Sequence, residues 1–111
     1  MIVFADEKIV SQPINLATKY QEWKKVAESG DIDSQYEIFH FVAKNRPLLD
    51  EKLSEAFGFL IQAGEAGHVE AQFTIGSMYQ TGHLLDENSD VALGWLLEAA
   101  KKGHKKKLSY S

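Results

Sequence analysis

Apolar residues recur along this chain at intervals of three and four, and the runs they define are separated by glycines or proline. Pro13 and Asn15 open the first pattern, in which Leu16, Tyr20, Trp23 and Ala27 share one face, with Val26 beside them. Gly30 stops it, because glycine takes the left-handed conformation that closes a helix. Asp31 and Asp33 both offer a cap for the next helix, whose apolar residues are Tyr36, Ile38, Phe39, Phe41 and Val42. Asn45-Arg46-Pro47 ends it, since a proline drives the residue before it out of helical geometry. A third helix starts near Asp50, carries Leu53, Ala56, Phe57, Leu60 and Gly64 on one face, and is closed by Gly67. A fourth, expected over about 69–80, aligns Gln72, Phe73, Gly76 and Tyr79 and stops at Gly82. Asn88 or Ser89 caps the fifth, whose stripe of Ala92, Trp95, Leu96, Ala99 and Ala100 is that of a helix with one buried face. Gly103 ends it, and residues 105–111 either add a turn or two of a short sixth helix or fray. Ile2, Val3 and Phe4 fit an extended arm or a helix start; the expectation is a loosely structured cap over 1–12, laid on the first helix. No segment alternates apolar and polar residues, so the chain is expected to be all-α.

The last two helices are partly a copy of what precedes them. Shifted by 36 residues, Leu48-Leu49-Asp50-Glu51 falls on Leu84-Leu85-Asp86-Glu87, Ala56 and Gly58 on Ala92 and Gly94, and Leu60, Ala63, Gly67 and His68 on Leu96, Ala99, Gly103 and His104. Those are 10 identities in 21 positions. Upstream the offset becomes 37, placing Gly30 on Gly67, Gln35 on Gln72 and Ile38 on Ile75, so one extra residue sits around 45–47. The unit is a helix pair, and such a pair leaves an apolar face open unless another stacks on it.

The residues Ala71, Ile75-Gly76, Tyr79, Gly82, Asp86, Ala92, Trp95, Ala99-Ala100 and Gly103-His104 together resemble the SEL-one-like repeat (SLR) family, relatives of the tetratricopeptide repeats. The match is close over 67–104 and looser over 31–67, where Phe39, Val42 and Asn45 stand in place of Gly76, Tyr79 and Gly82. The run W-K-K-V-A-E-S-G from Trp23 to Gly30 resembles the second helix of a still earlier unit. The resemblance implies a short right-handed α/α-solenoid of stacked antiparallel pairs with five main helices. One domain would divide into a leading helix over 13–30, a divergent repeat over 31–66, a clear repeat over 67–103 and a basic tail or capping helix over 104–111. The structural repeat positions are Trp23, Gly67, His68, Ala71, Gly76, Tyr79, Gly82, Ala92, Trp95, Ala99, Gly103 and His104. The small ones allow paired helices to approach closely, and Trp95 and Tyr79 fill the space between successive pairs.

Length and composition agree with one folded domain. At 111 residues folding buries roughly two-thirds of the unfolded chain's surface, enough for a core without staples. There is no cysteine, which excludes disulfides and thiol chemistry and suits a reducing compartment. The start lacks the positive flank and longer apolar run of a secretory signal, and no stretch approaches the ~20 apolar residues of a membrane span. A cytoplasmic, soluble protein is expected.

Charge is unevenly placed. Residues 1–100 carry 7 Lys and Arg against 16 Asp and Glu, and Lys101, Lys102, Lys105, Lys106 and Lys107 bring the total to −4. Between Leu53 and Ala100 there is no Lys or Arg, while Glu55, Glu65, Glu70, Asp86, Glu87, Asp90 and Glu98 lie there. Such a surface repels nucleic acid and acidic membranes and attracts basic partners. The lysines close to the end of the last helix meet its negative pole, a better account of them than a binding patch.

Little in the chain suggests chemistry. His68 and His104 recur directly after a helix-closing glycine, which marks a turn or capping role, and no two histidines have the i, i+4 spacing of a helical metal site. Asp50/Glu51 and Asp86/Glu87 also recur once per unit and precede helix starts, where acids favour the helix dipole. No glycine-rich phosphate loop is present. The expectation is therefore no catalysis, no cofactor and no metal, but a binding surface. On the first helix of each pair the residues not needed for stacking include Glu37, His40, Phe41, Lys44, Glu70, Thr74, Ser77 and Met78, to which the acidic turn adds Asp86 and Glu87. Phe41 and Met78 are equivalent, either both exposed for a partner or both buried at the next stack. The function expected is a non-catalytic protein–protein interaction module, monomeric when free, for a dedicated and basic partner. A compact acidic binder suits a basic cleft such as a nuclease's, so an immunity protein neutralising a toxin is the leading reading. A general SLR adaptor or scaffold, or a self-stacking structural unit, is the alternative.

Overall fold

The computed structural model describes residues 3–103, and side chains over 16–103. Five α-helices follow one another: α1 (Val3–Glu28), α2 (Ile32–Lys44), α3 (Leu53–Glu65), α4 (Val69–Thr81) and α5 (Ser89–Lys101). A single 3-10 turn, Asp50–Lys52, leads into α3. The described residues contain no strand, as the absence of alternation predicts. Each helix packs chiefly on the one before and the one after it, giving a stack of antiparallel helices rather than a bundle closed on itself. The stack is elongated, 56 × 27 × 25 Å.

The N-terminal segment differs from the expected arm. Residues 3–12 do not lie on the first helix but form its opening turns, and Pro13 lies inside α1. Proline is common in a first helical turn, which makes Pro13 read as a start. The residues ahead of it include the good helix formers Ala5, Glu7, Lys8 and Gln12, with no glycine to stop them. Local propensity thus carries the helix up to the proline, and the pattern from Leu16 carries it on.

The other boundaries follow from their caps. Asp31 caps α2, its carboxylate accepting from the Ser34 N–H at 3.4 Å, and Asp33 lies in the first turn. Asn88 caps α5 in the same way, accepting from Val91 N–H at 3.1 Å. Gly30, Gly67, Gly82 and Gly103 all have positive φ, between 76° and 101°, which is where glycine alone is unstrained.

The 37-residue offset of the sequence has counterparts in the local geometry of α2 and α4. The N-cap residues Asp31 and His68, 37 apart, share φ −71° and have ψ of 108° and 112°. The Gln35 side chain donates to the Ala27 carbonyl at 3.0 Å, and Gln72 donates to the Gly64 carbonyl at 3.0 Å. Both glutamines are buried, and each ties a first helix to the end of the helix before it. Counting back from the closing glycines, Trp23 therefore matches Leu60 and Leu96, seven residues before the joint, rather than Trp95. Ala27 likewise matches Gly64.

This register explains the core. Tyr20, Ala27, Ile38, Val42, Ala56, Leu60, Ala63, Ala71, Ile75 and Ala99 are fully buried. Ala63 and Ala99 are fully buried, whereas their equivalent on α1, Val26, is 44% exposed. No first helix precedes α1 among the described residues, so that face has nothing to pack on. Gly76 lies against α5, where an added Cβ would come within 2.7 Å of Leu96. Gly64 lies under Trp95, whose ring would be 2.9 Å from a Cβ there, so the tryptophan spans from one pair to the preceding one.

Candidate functional site

Two surfaces stand out: the face shared by α2 and α4, and a cleft at the edge where their loops meet. On the first, α2 presents Asp33, Tyr36, Glu37, His40 and Lys44, and α4 presents Glu70, Thr74 and Ser77. Glu37, Lys44 and Glu70 are exposed, and His40, Thr74 and Ser77 are half-buried. Phe41 and Met78 do not belong to this surface. Phe41 packs on the Trp23 ring at 5.3 Å, and Met78 is only 5% exposed. Of the two readings open for this pair, burial holds for Met78, and Phe41 is half-buried beside Trp23 of the preceding helix.

The centre of the face is a ring cluster. Tyr36 stacks on His68 with centroids 4.5 Å apart, and the His40 ring meets its edge at 4.5 Å. His68 is the N-cap of α4: its Nδ1 accepts from the Ala71 N–H at 3.1 Å. That leaves the proton of the neutral ring on Nε2, which lies 3.3 Å from Asp33 Oδ1. One histidine thus caps a helix, stacks on Tyr36 and meets the carboxylate of the preceding first helix, which accounts for its place at the joint. His104, its equivalent, and the tail over 104–111 lie outside the described residues. Burial, and then the Glu70 carboxylate, push the Tyr36 phenol upward, while its hydrogen bond with Thr74 pulls it down. His40 Nε2 is buried without a hydrogen-bond partner among the described residues.

The cleft has a volume of ≈ 340 Å³ and is lined by Phe39 of α2, Asp50, Leu53, Ser54 and Phe57 at the start of α3, Met78 of α4, and Leu84 and Leu85 of the α4–α5 loop. Six of these eight residues are apolar. The two Leu-Leu-Asp-Glu runs of the repeat meet here, but in different conformations. In the first, Leu48 is 68% exposed and Leu49 is buried. In the second, Leu84 has φ +68°, a left-handed backbone that costs a non-glycine residue ~1–3 kcal/mol, and both leucines line the cleft. Asp86 and Glu87 follow directly and are exposed. Asp50 is engaged by Arg46 at 2.6 Å. Nothing in the sequence announced this cleft, because its walls come from three helices and a loop whose leucines read simply as core.

A polar link on the other side of the stack is equally silent in the sequence. Tyr20 of α1 donates to Glu55 Oε1 of α3, and Lys24 pairs with Glu55 Oε2 at 2.9 Å. These two donors hold the Glu55 carboxyl below its usual range, and burial with that hydrogen bond pushes the Tyr20 phenol well above its own. The partners are 35 and 31 residues apart, a separation at which no local pattern pairs them.

Among the described residues no three His, Asp or Glu side chains are grouped so as to hold a metal ion, and no helix is long and apolar enough to cross a membrane. Asp86 and Glu87 lie in the turn before α5 and Asp50 and Glu51 in the turn before α3, so the repeated acids sit ahead of helix starts. No protein-family model, no curated protein and no solved structure matches this chain.

Proposed function

We propose that this chain is a non-catalytic, SLR-like protein-binding module whose partner is a dedicated basic protein, and that it acts as an inhibitor of that partner, as an immunity protein does toward a toxin. The observation that carries the reading is the exposed acidity of the C-terminal half. All seven carboxylates between Leu53 and Ala100 are exposed, and no Lys or Arg lies between those residues to offset them. Lys24 reaches Glu55 from α1 and Lys101 reaches Glu98 from the end of α5, and among the described residues no ion pair engages Asp86 or Glu87 in the loop that follows α4. Fields of one sign steer oppositely charged partners and accelerate their encounter. The α2–α4 face, with Glu37, Glu70 and the Tyr36–His40 rings, offers aromatic contact within that field.

The test is capture with the tagged protein from its native lysate, identification by mass spectrometry, and binding kinetics with the purified partner. A basic partner whose association slows steeply with salt is expected, with Glu37→Lys and Glu70→Lys slowing it further. An acidic partner, or a complex whose association ignores salt, overturns the reading.

A further inference from the structure

We propose, resting on the partner-binding reading above, that the cleft between Phe57 and Leu84 is the docking pocket for one large apolar side chain of the partner, carried on a segment with Lys or Arg beside it. Three observations point there. The walls, Phe39, Leu53, Phe57, Met78, Leu84 and Leu85, are apolar, and ≈ 340 Å³ is enough for a leucine or an aromatic ring. Exposed acids stand next along the chain to lining residues, Glu51 after Asp50 and Asp86 and Glu87 after Leu85; Arg46 answers Asp50, and among the described residues no ion pair engages the other three. Lys52, next to Glu51, is turned to the Tyr20 ring, with its Nζ 5.5 Å from the centroid. Finally, Leu84 holds a left-handed backbone to reach the cleft, whereas its repeat equivalent Leu48 projects into solvent.

Charge complementarity chooses the occupant. A bare apolar cleft accepts any apolar group, but one followed by unpaired carboxylates favours a side chain with cations at its flanks. A buried anchor surrounded by a charged rim is the arrangement that concentrates binding energy in a few residues. The pocket shares no lining residue with the Tyr36–His40–His68 cluster, although Phe39 of its wall meets the His40 ring edge-on at 6.0 Å.

The experiment uses the full chain with isotope-labelled methionine methyl groups. There are two methionines, Met1 and Met78, so the Met78 methyl is a direct reporter of the cleft. The probes are synthetic peptides with one leucine, phenylalanine or tryptophan flanked by arginines. Matched controls replace the apolar residue by serine or the arginines by glutamates. Saturable movement of the Met78 signal by the basic apolar peptides alone is expected. The double variant Asp86→Lys/Glu87→Lys should weaken it about tenfold, the scale of losing a central contact, while Glu22→Lys, exposed on α1, leaves it unchanged. The proposal is overturned if Met78 does not respond, if the glutamate peptides or a neutral apolar compound move it equally, or if the rim variant titrates as wild type. A captured basic partner sensitive to Glu37→Lys but leaving Met78 unmoved would sink the pocket and spare the partner-binding reading.

Discussion

His68 shows how much one side chain can do at a joint. Its Nδ1 supplies the acceptor that the start of α4 needs, and its ring is held between Tyr36 and Asp33. His68→Ala should cost ~1 kcal/mol through the lost cap, and His68→Asn, whose side chain also accepts, should recover most of it in thermal melts. Glu55 gives a pH dependence with a definite sign. Its carboxyl is depressed in the folded protein by Tyr20 and Lys24, so the link stabilises above the unfolded-state pKa and is lost as pH falls through the folded one. In urea titrations at a series of pH values, the gap between wild type and Glu55→Gln should be widest near neutrality and close on acidification. The group is well exposed, so solvent screening keeps this effect modest.

Among elements, the seam between α4 and α5 is the tightest contact. An alanine at Gly76 would put a methyl 2.7 Å from Leu96 Cγ, which is not the free end of a side chain, and 3.2 Å from the Ala92 carbonyl. Gly76→Ala should therefore destabilise by ~1–3 kcal/mol. At Gly94, on α5 itself, an added methyl would meet nothing within 4 Å, so Gly94→Ala should stabilise by ~0.5–1 kcal/mol. Opposite shifts in melting temperature for two identical substitutions would verify the packing. Periodicity places both helices and the Gly76 stripe correctly. It does not separate the two glycines, because a helical period says which face a residue shares but not which neighbour covers it.

At the scale of the molecule, the two ends of the stack are alike among the described residues, α1 at one and α5 at the other. Val26 on α1 is exposed where its equivalents Ala63 and Ala99 are fully buried. Leu93 and Leu97 on α5 are 56% and 51% exposed, although their equivalents Phe57 and Ile61, 36 residues earlier, pack against the core. Among the described residues each end presents a second helix, so two copies of this stack placed head to tail would not supply one another with a first. Light scattering should accordingly give a concentration-independent monomer. Leu93→Lys with Leu97→Lys should change stability by no more than ~0.5 kcal/mol, as surface substitutions do, while Ile61→Lys should be severely destabilising by burying a charge in a packed seam.

Helices α2 to α5, their caps and the repeat follow from the chain alone, because these depend on residues within a turn or two of one another. Gly30 and Gly67 closed their helices, Asp31 and Asn88 capped the next, and the offset of 37 reappeared in paired glutamine hydrogen bonds. What depends on neighbours far along the chain was settled only by packing. It buried Met78, joined Tyr20 and Lys24 to Glu55, and turned one Leu-Leu-Asp-Glu run into the wall of a cleft while leaving Leu48 of the other on the surface. Identical letters had different fates because the second run meets α2 and α3, whereas among the described residues no helix precedes α1 to give Leu48 an equivalent surface.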